Sequence, residues 1–266
     1  MSKSSIPKGI SPAEMAGYWE ALKPGNNVDS RIEETWKKKA VFLEEVSLQN
    51  NVVIFLYNCY TNRFVYMSDK LKVLSGLEPS SFTAENGVEF SFSRVHPAHL
   101  EAGLQFNRLG ISYIAENNTI DSRSILVSIN FLYKNGQDEY IQVLQQGSVL
   151  EVDENGRPAL IINFIHNVGH IKKADSIGCV ISAPGKVGVY NYDPEAKVLE
   201  PPVTFTDHER KIISMLAQGL DTKTISQKLF ISPHTVDTHR RNLIKKLNCI
   251  DTTGVVAFAR LINLIQ

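Results

Sequence analysis

The stretch ISPHTVDTHRRNLIKKLN, residues 231–248, constrains this chain more than any other. Ser232 before Pro233 marks a helix start. A serine side chain accepts from the free amides of the first turn, and proline at the first helical position gives up a donor that has no partner there. Stepped at ~100° per residue, Val236, Leu243 and Leu247 form a narrow apolar stripe, flanked by His239 and Ile244. The opposite face carries His234, Thr238, Arg241, Asn242 and Lys245, with Asp237 at its edge. A solvated helix face more often interleaves Glu with Lys one turn apart. No Glu follows Glu209 in this chain. The stretch predicts a helix with one face in a core and the other offered to an anionic target.

Upstream, TFTDHERKIISMLAQGLDTKTISQKLF supplies two more helices. Thr206 and Glu209 form a capping box, Ile212, Ile213, Leu216 and Ala217 make an apolar stripe, and Gly219 ends the first helix. Asp221 or Thr222 caps a short second helix with Ile225 and Leu229 on its inner face. Phe230-Ile231-Ser232 turns into the basic helix, and an apolar helix from about Thr252 to Leu264 closes the bundle. Two short helices joined by a tight turn, the second polar outside, is the helix-turn-helix pattern.

Residues 204–266 resemble the LuxR/FixJ-type (GerE-like) DNA-binding domain of bacterial transcription regulators. The residues that carry it include Thr206, Glu209, Ala217, Gly219, Lys223, Ile225, Leu229, Ile231-Ser232, Thr235-Val236, His239, Ile244 and Lys246-Leu247. The resemblance implies that 233–247 is the recognition helix in a DNA major groove, with Asp237, Thr238 and Arg241 approaching base edges and Lys223 on a phosphate. On geometry, Arg240 and Lys245 are further phosphate partners, and Ser232, His234 and Thr235 complete the candidate DNA-binding set. His208, Lys211 and Thr252 depart from the family pattern, which bears on the domain's internal ion pairs.

Charge agrees. The chain is neutral, but residues 203–266 hold nine Lys+Arg against five Asp+Glu, a net of +4, leaving −4 on residues 1–202. Such asymmetry points to nucleic acid at one end. The excess is modest, so two copies on paired half-sites are expected, as is usual in the family.

The remainder is organised differently. Residues 12–46 read as two helical pieces split by LKPGNN at 22–27; the second places Ile32, Trp36, Leu43 and Val46 near one side, for packing on the next domain or for dimerisation. From residue 51, NVVIFLYN and RFVYMS read as a hairpin. Short helical stretches follow (SDKLKVLSGL, PSSF, HPAHLEAGLQFNRLGISYIAEN), then three strands over DSRSILVSINFLYK, DEYIQVLQQGSVLEV and ALIINFIHNV. With Leu74-Ser75-Gly76-Leu77, Pro79-Ser80-Ser81-Phe82, Val95-His96-Pro97, Asn135-Gly136 and Asp153-Glu154-Asn155-Gly156, residues 47–172 resemble a PAS domain. That implies a five-stranded antiparallel sheet with helices over one face, serving sensing or dimerisation. Residues 173–203 read as a connector with a hairpin at about 178–192 and a linker, DPEAKVLEPP. The fold class expected is α+β, the PAS-like sheet followed by an all-α four-helix domain, with boundaries 1–46, 47–172, 173–203 and 204–266.

No cofactor is expected. The cysteine-bearing stretch of flavin-photochemical PAS domains is absent. His96 and His99 lie where haem-binding PAS domains place their ligand, but HPAH reads as structural, and His166 and His170 as surface or strand-end residues. An apolar space lined by Phe55, Tyr57, Phe64, Phe131 or Ile141 is expected to be a filled core, with a haem or small ligand gating DNA binding as the alternative. Cys59, Cys179 and Cys249, odd in number and far apart, read as free thiols. The chain shows no membrane span or signal peptide, hence a cytoplasmic location, and no nucleophile elbow, phosphate loop or metal-ligand cluster, hence no enzyme. Expected partners are double-stranded DNA and a second copy, with RNA polymerase and a small-molecule signal as further candidates.

Overall fold

The first strand, β1 (Val53–Asn58), is buried along its whole length. A strand apolar on both sides demands a covering layer on each, and the computed structural model, which describes residues 30–117, 120–173 and 176–265, supplies both. β1 pairs with β2 (Arg63–Met67) as a hairpin and with β5 (Pro158–Asn167) on its other side. β3 (Leu126–Lys134), β4 (Tyr140–Val152) and β5 form the antiparallel meander that the turn signals predict. The α+β architecture is present, sheet first and helical bundle last.

The expectation of five strands is corrected. The sheet has eight, in the order β2-β1-β5-β4-β3-β6-β7-β8. β6 (Gly178–Ala183) and β7 (Lys186–Asp193) are the hairpin of the connector, and β6 pairs with β3 from Leu126↔Ser182 to Asn130↔Gly178. Without it, β3 would present a long row of unpaired amides and carbonyls, a template for unwanted pairing. The segment read as linker is likewise ordered: β8 (Val198–Leu199) pairs with β7, and Val203 bridges Val189.

The inner face of the sheet carries α3 (Lys70–Ser75), α4 (Pro79–Thr83), α5 (Gly87–Ser93) and α6 (Pro97–Glu116). Phe106 and Ala102 of α6 are fully buried against Ile125, Ile129, Cys179 and Ile181. Gly136, in the turn after β3, lies against α3: its amide donates to Ser75 O at 2.7 Å, and a Cβ there would stand 2.7 Å from Gly76 O. Only glycine fits that approach.

The outer face has two covers. α1 (Ser30–Lys38) and α2 (Ala40–Asn50) lie over β1, β2 and β5, with Trp36, Leu43 and Val46 against Ile54, Leu56 and Leu160. Trp36 Nε1 donates to Glu151 Oε1 at 3.0 Å and Tyr66 Oη to Glu44 Oε2 at 2.8 Å. Val41, Phe42 and Leu48 of α2 are exposed. The first N-terminal helical piece and its LKPGNN break lie outside the described residues. The second cover, over β4, β3, β6 and β7, is the C-terminal bundle, whose core is continuous with Leu144, Val168, Ile171, Val180 and Val189 of the sheet unit.

Candidate nucleic-acid interface

The bundle is built from α7 (Asp207–Ala217), α8 (Thr222–Leu229), α9 (Pro233–Lys246) and α10 (Thr252–Leu261). Each starts with a side-chain cap. Thr206 and Glu209 form the reciprocal box, Thr206 Oγ1 accepting from Glu209 N at 3.2 Å and Glu209 Oε2 from Thr206 N at 2.8 Å. Asp221 accepts from Thr224 N at 2.7 Å, and these Thr224 bonds hold its carboxyl below the ordinary value. Ser232 caps α9 by accepting from Thr235 N at 3.0 Å, and Asp251 caps α10 by accepting from Gly254 N at 2.7 Å. α10 stops at Leu261, one turn short of the expected Leu264.

Val236 and Leu243 of α9 and Leu247 at its end are buried with Ile212, Ile213, Ile225 and Phe258. Lys246 then ties the end of α9 to the start of α7, its Nζ 2.7 Å from Glu209 Oε1 and 3.0 Å from Thr204 O. Burial pushes the Glu209 carboxyl up, but bonds from Lys246 and the Thr206 amide outweigh it and hold the group below its usual value.

The sequence-predicted site residues fall into two groups. Lys223, Ser232, His234, Arg241 and Lys245 are exposed, with Thr235 and Thr238 half-buried between them. Among the described residues Lys223, Arg241 and Lys245 join no ion pair. Arg241 Nη2 donates to Thr238 Oγ1 at 3.2 Å, and Thr238 Oγ1 to His234 O at 3.0 Å, so the face is pre-ordered but uncommitted. Arg240 and Asp237 differ. Arg240 Nη1 donates to Thr222 Oγ1 at 2.8 Å and Nε to Thr252 Oγ1 at 3.3 Å, while Asp237 Oδ1 lies 3.6 Å from Arg240 and accepts from Thr222 at 3.2 Å. These four side chains brace the starts of α8 and α10 against α9. Their bonds to Arg240 were not visible in the sequence, since Thr222 and Thr252 lie 18 and 12 residues away from it.

Residues 203–259 match the model of the luxR family of bacterial regulatory proteins. This segment is a luxR-family domain. Similar proteins include the transcriptional regulatory protein MctR of Rhizobium johnstonii, 28% identical over 149 residues (51% of this chain, 70% of MctR). The regulatory protein SdiA of Escherichia coli is 34% identical over 68 residues, 26% of this chain and 28% of SdiA. YxjL of Bacillus subtilis, an uncharacterized transcriptional regulatory protein, is 40% identical over 55 residues, 21% of this chain and 25% of YxjL. The chain thus spans about a quarter of the length of two of these three relatives. Among solved structures, a Vibrio cholerae VqmA dimer is 15% identical with a TM-score of 0.33, covering 84% of this chain and 88% of that one. The N-terminal domain of a Marinobacter aquaeolei diguanylate cyclase with a PAS/PAC sensor is 17% identical with a TM-score of 0.36, covering 44% and 95%. At scores this low the likeness bears on neither function nor ligand.

The luxR-type domain is fastened to the sheet through its helix ends. Lys172 Nζ donates to Leu247 O, where α9 ends, and lies 4.1 Å from the centroid of the Phe258 ring. Gln146 Nε2 donates to Leu261 O at 2.8 Å and Ser182 Oγ to Ile262 O at 2.6 Å, both at the end of α10. Lys173 N donates to Asn248 O and Ile250 N to Ile171 O, a short antiparallel bridge. The last carbonyls of a helix lack intrahelical donors; here the sheet unit supplies them. The outer face of α9, with Arg241 and Lys245, stays outside this contact.

Both histidines of HPAH bond backbone amides through Nδ1: His96 Nδ1 accepts from Ala98 N, capping α6, and His99 Nδ1 accepts from Leu132 N at 3.0 Å. Among the described residues no group of three His, Cys, Asp or Glu is placed to hold a metal. No helix there is long and apolar enough to cross a membrane. The expectation of a filled core is corrected: a cavity of about 200 Å³ lies between the sheet and its inner helices. It is below the roughly 300–1,000 Å³ of pockets that enclose drug-sized ligands.

Proposed function

We propose that this chain is a sequence-specific DNA-binding transcription regulator, working by binding rather than catalysis. Paired copies place α9 of each luxR-type domain in successive major grooves. The observation that carries this is the outer face of α9. It holds Arg241, His234, Thr238 and Lys245 beside Lys223 of α8, with Lys223, Arg241 and Lys245 in no ion pair among the described residues. Arg241, already steadied by Thr238, reads a base edge; a bidentate arginine on guanine is the commonest specific contact. Lys223, Lys245, His234, Ser232 and Thr235 track the backbone. Arg240 and Asp237 serve the interface from behind, by fixing α9 against α8 and α10. The sheet unit sets how two such domains are presented.

The test is selection from random duplexes, followed by binding to the enriched site. Arg241→Ala costs about 1–3 kcal/mol at one base step and relaxes preference there, whereas Lys223→Ala weakens all duplexes alike and lowers the salt slope by about 1. Equal, sequence-blind losses from both variants would remove the base-reading role from Arg241. Failure to enrich any motif would overturn the specific regulator.

A further inference from the structure

Lys173 belongs to the sheet unit, yet it lies at the end of α9. Its amide donates to Asn248 O at 2.9 Å, and beside it Lys172 and Cys249 form the antiparallel bridge. Lys172 and Cys249 face each other there, and both are buried. Successive residues of an extended segment point to opposite sides. Lys173 therefore points outward on the side of Asn248, and it is exposed. We infer that, in the docked arrangement, the sheet unit adds Lys173 to the DNA-contacting surface as a phosphate contact just beyond the end of α9. This rests on the DNA-binding reading above and carries its interface to a residue outside the luxR-type domain.

Length is the first argument. α9 has 14 residues, so it is about 21 Å long at a rise of ~1.5 Å per residue. The major groove of B-DNA is only about 12 Å wide. A helix whose first turns reach base edges therefore carries its last turn out to the flanking backbone. Arg241, Lys245 and Asn248 follow one another along one face, four and three residues apart, and Asn248 N still donates to Lys245 O at 3.2 Å. Lys173, bonded to Asn248 from the sheet side, is the next cation on that line. Charge is the second argument. Residues 1–202 carry a net of −4, so their approach to DNA is unfavourable unless the part that comes near is basic. That part is HNVGHIKK, residues 166–173, which has no Asp or Glu, and neither does the stretch 238–250 opposite it. Asp251, the next carboxylate, is occupied in capping α10. Lys173 joins no ion pair among the described residues. Burial pushes the Cys249 thiol up, and Lys172 and Lys173 both pull against that rise, which keeps the Lys173 ammonium near the end of α9. The two neighbouring lysines thus divide the work: Lys172 fastens the domain from inside and Lys173 faces out. A contact that needs both docking and DNA couples the two, so bound DNA favours the docked form.

The test is a salt series of binding by the full chain to random-sequence duplexes. Lys173→Ala lowers the slope of log affinity against log salt by about 1 for each bound chain. Lys173→Arg keeps the wild-type slope. So does Lys186→Ala, which removes an exposed lysine whose Nζ lies 5.7 Å from the centroid of the Tyr113 ring on α6, at the inner face of the sheet. The alanine variant retains the residue 173 amide, and with it the bond to Asn248 O, so its melting temperature matches the wild type. Selection from random duplexes returns the same motif for Lys173→Ala as for the wild type, because a phosphate contact carries no base readout. A wild-type slope in Lys173→Ala, an equal flattening by Lys186→Ala, or the absence of salt-dependent binding by the wild type would each overturn the inference. Salt-dependent binding without an enriched motif would overturn the sequence-specific regulator while the Lys173 slope still decides this contact, so the two proposals fail separately.

Discussion

Phe230 holds a left-handed backbone, φ 54°, with its side chain 95% exposed, at the turn between α8 and α9. A bulky residue there pays steric strain with little packing in return, and glycine would carry the same turn freely. Phe230→Gly should therefore raise the denaturation midpoint of the luxR-type domain by the equivalent of about 0.5–1 kcal/mol. A lower midpoint would mean that the ring packs on something. Glu209 gives the second residue-scale prediction. Its folded pKa lies below the ordinary value, so its contribution is complete above the unfolded pKa and is lost as pH falls through the folded one. The wild type should lose stability as the carboxylate range is entered from above, and Glu209→Gln, weaker at neutral pH, should lose less over the same acid range in thermal melts. The Thr206–Glu209 box was legible because its partners are three residues apart. The role of Arg240 was not. Counted outward by helical angle, it reads as a phosphate contact; only the packed bundle brings Thr222 and Thr252 to its guanidinium.

The same distinction governs the elements. Alternation and turn residues mark where strands start and stop, and all the strands of the PAS-like region and the connector hairpin were readable one by one. Pairing was not, because nothing local in GCVISA says that it will lie beside Leu126–Asn130. The eight-stranded sheet exists because an open β3 edge found the hairpin, a long-range choice. The turn after β3 leaves this arrangement little room. Gly136 stands so close to Gly76 O that any side chain must push two backbones apart. Gly136→Ala should cost about 1–3 kcal/mol by the strain of overpacking, seen as a lower melting temperature of the sheet unit. Gly156→Ala, at a turn with open space around it but a φ of 75°, should act through the turn alone and leave α3 undisturbed in hydrogen exchange.

At the scale of the whole molecule, the luxR-type domain is docked on the sheet face opposite the cavity. β4 belongs to both sides: Gln145 and Gly147 line the cavity, while Leu144 and Gln146 meet the domain. Lys172, part of the fastening, is a buried amine with no carboxylate partner among the described residues. Burial drives its pKa down to about 8, from an ordinary 10.5. Released from the interface, the amine would return toward the higher value. Between the two, the separated form binds a proton that the docked form does not, so docking strengthens as pH rises from about 8 toward 10.5 and is weakest below about 8. Cys249, the thiol beside it, is pushed up to about 11 by burial and stays protonated through most of that window. Lys172→Met keeps most of the unbranched apolar stem and removes the charge. Hydrogen exchange at 171–173 and 248–250, corrected for intrinsic rates, should slow in the wild type as pH rises from ~7.5 to ~9.5, a span that starts just below the shifted value of about 8 and stops short of the ordinary 10.5. In Lys172→Met the protection should be high and level throughout. An equal slope in both proteins would take Lys172 out of the fastening and leave the apolar contacts of Leu144, Val180 and Val189 to hold the domain.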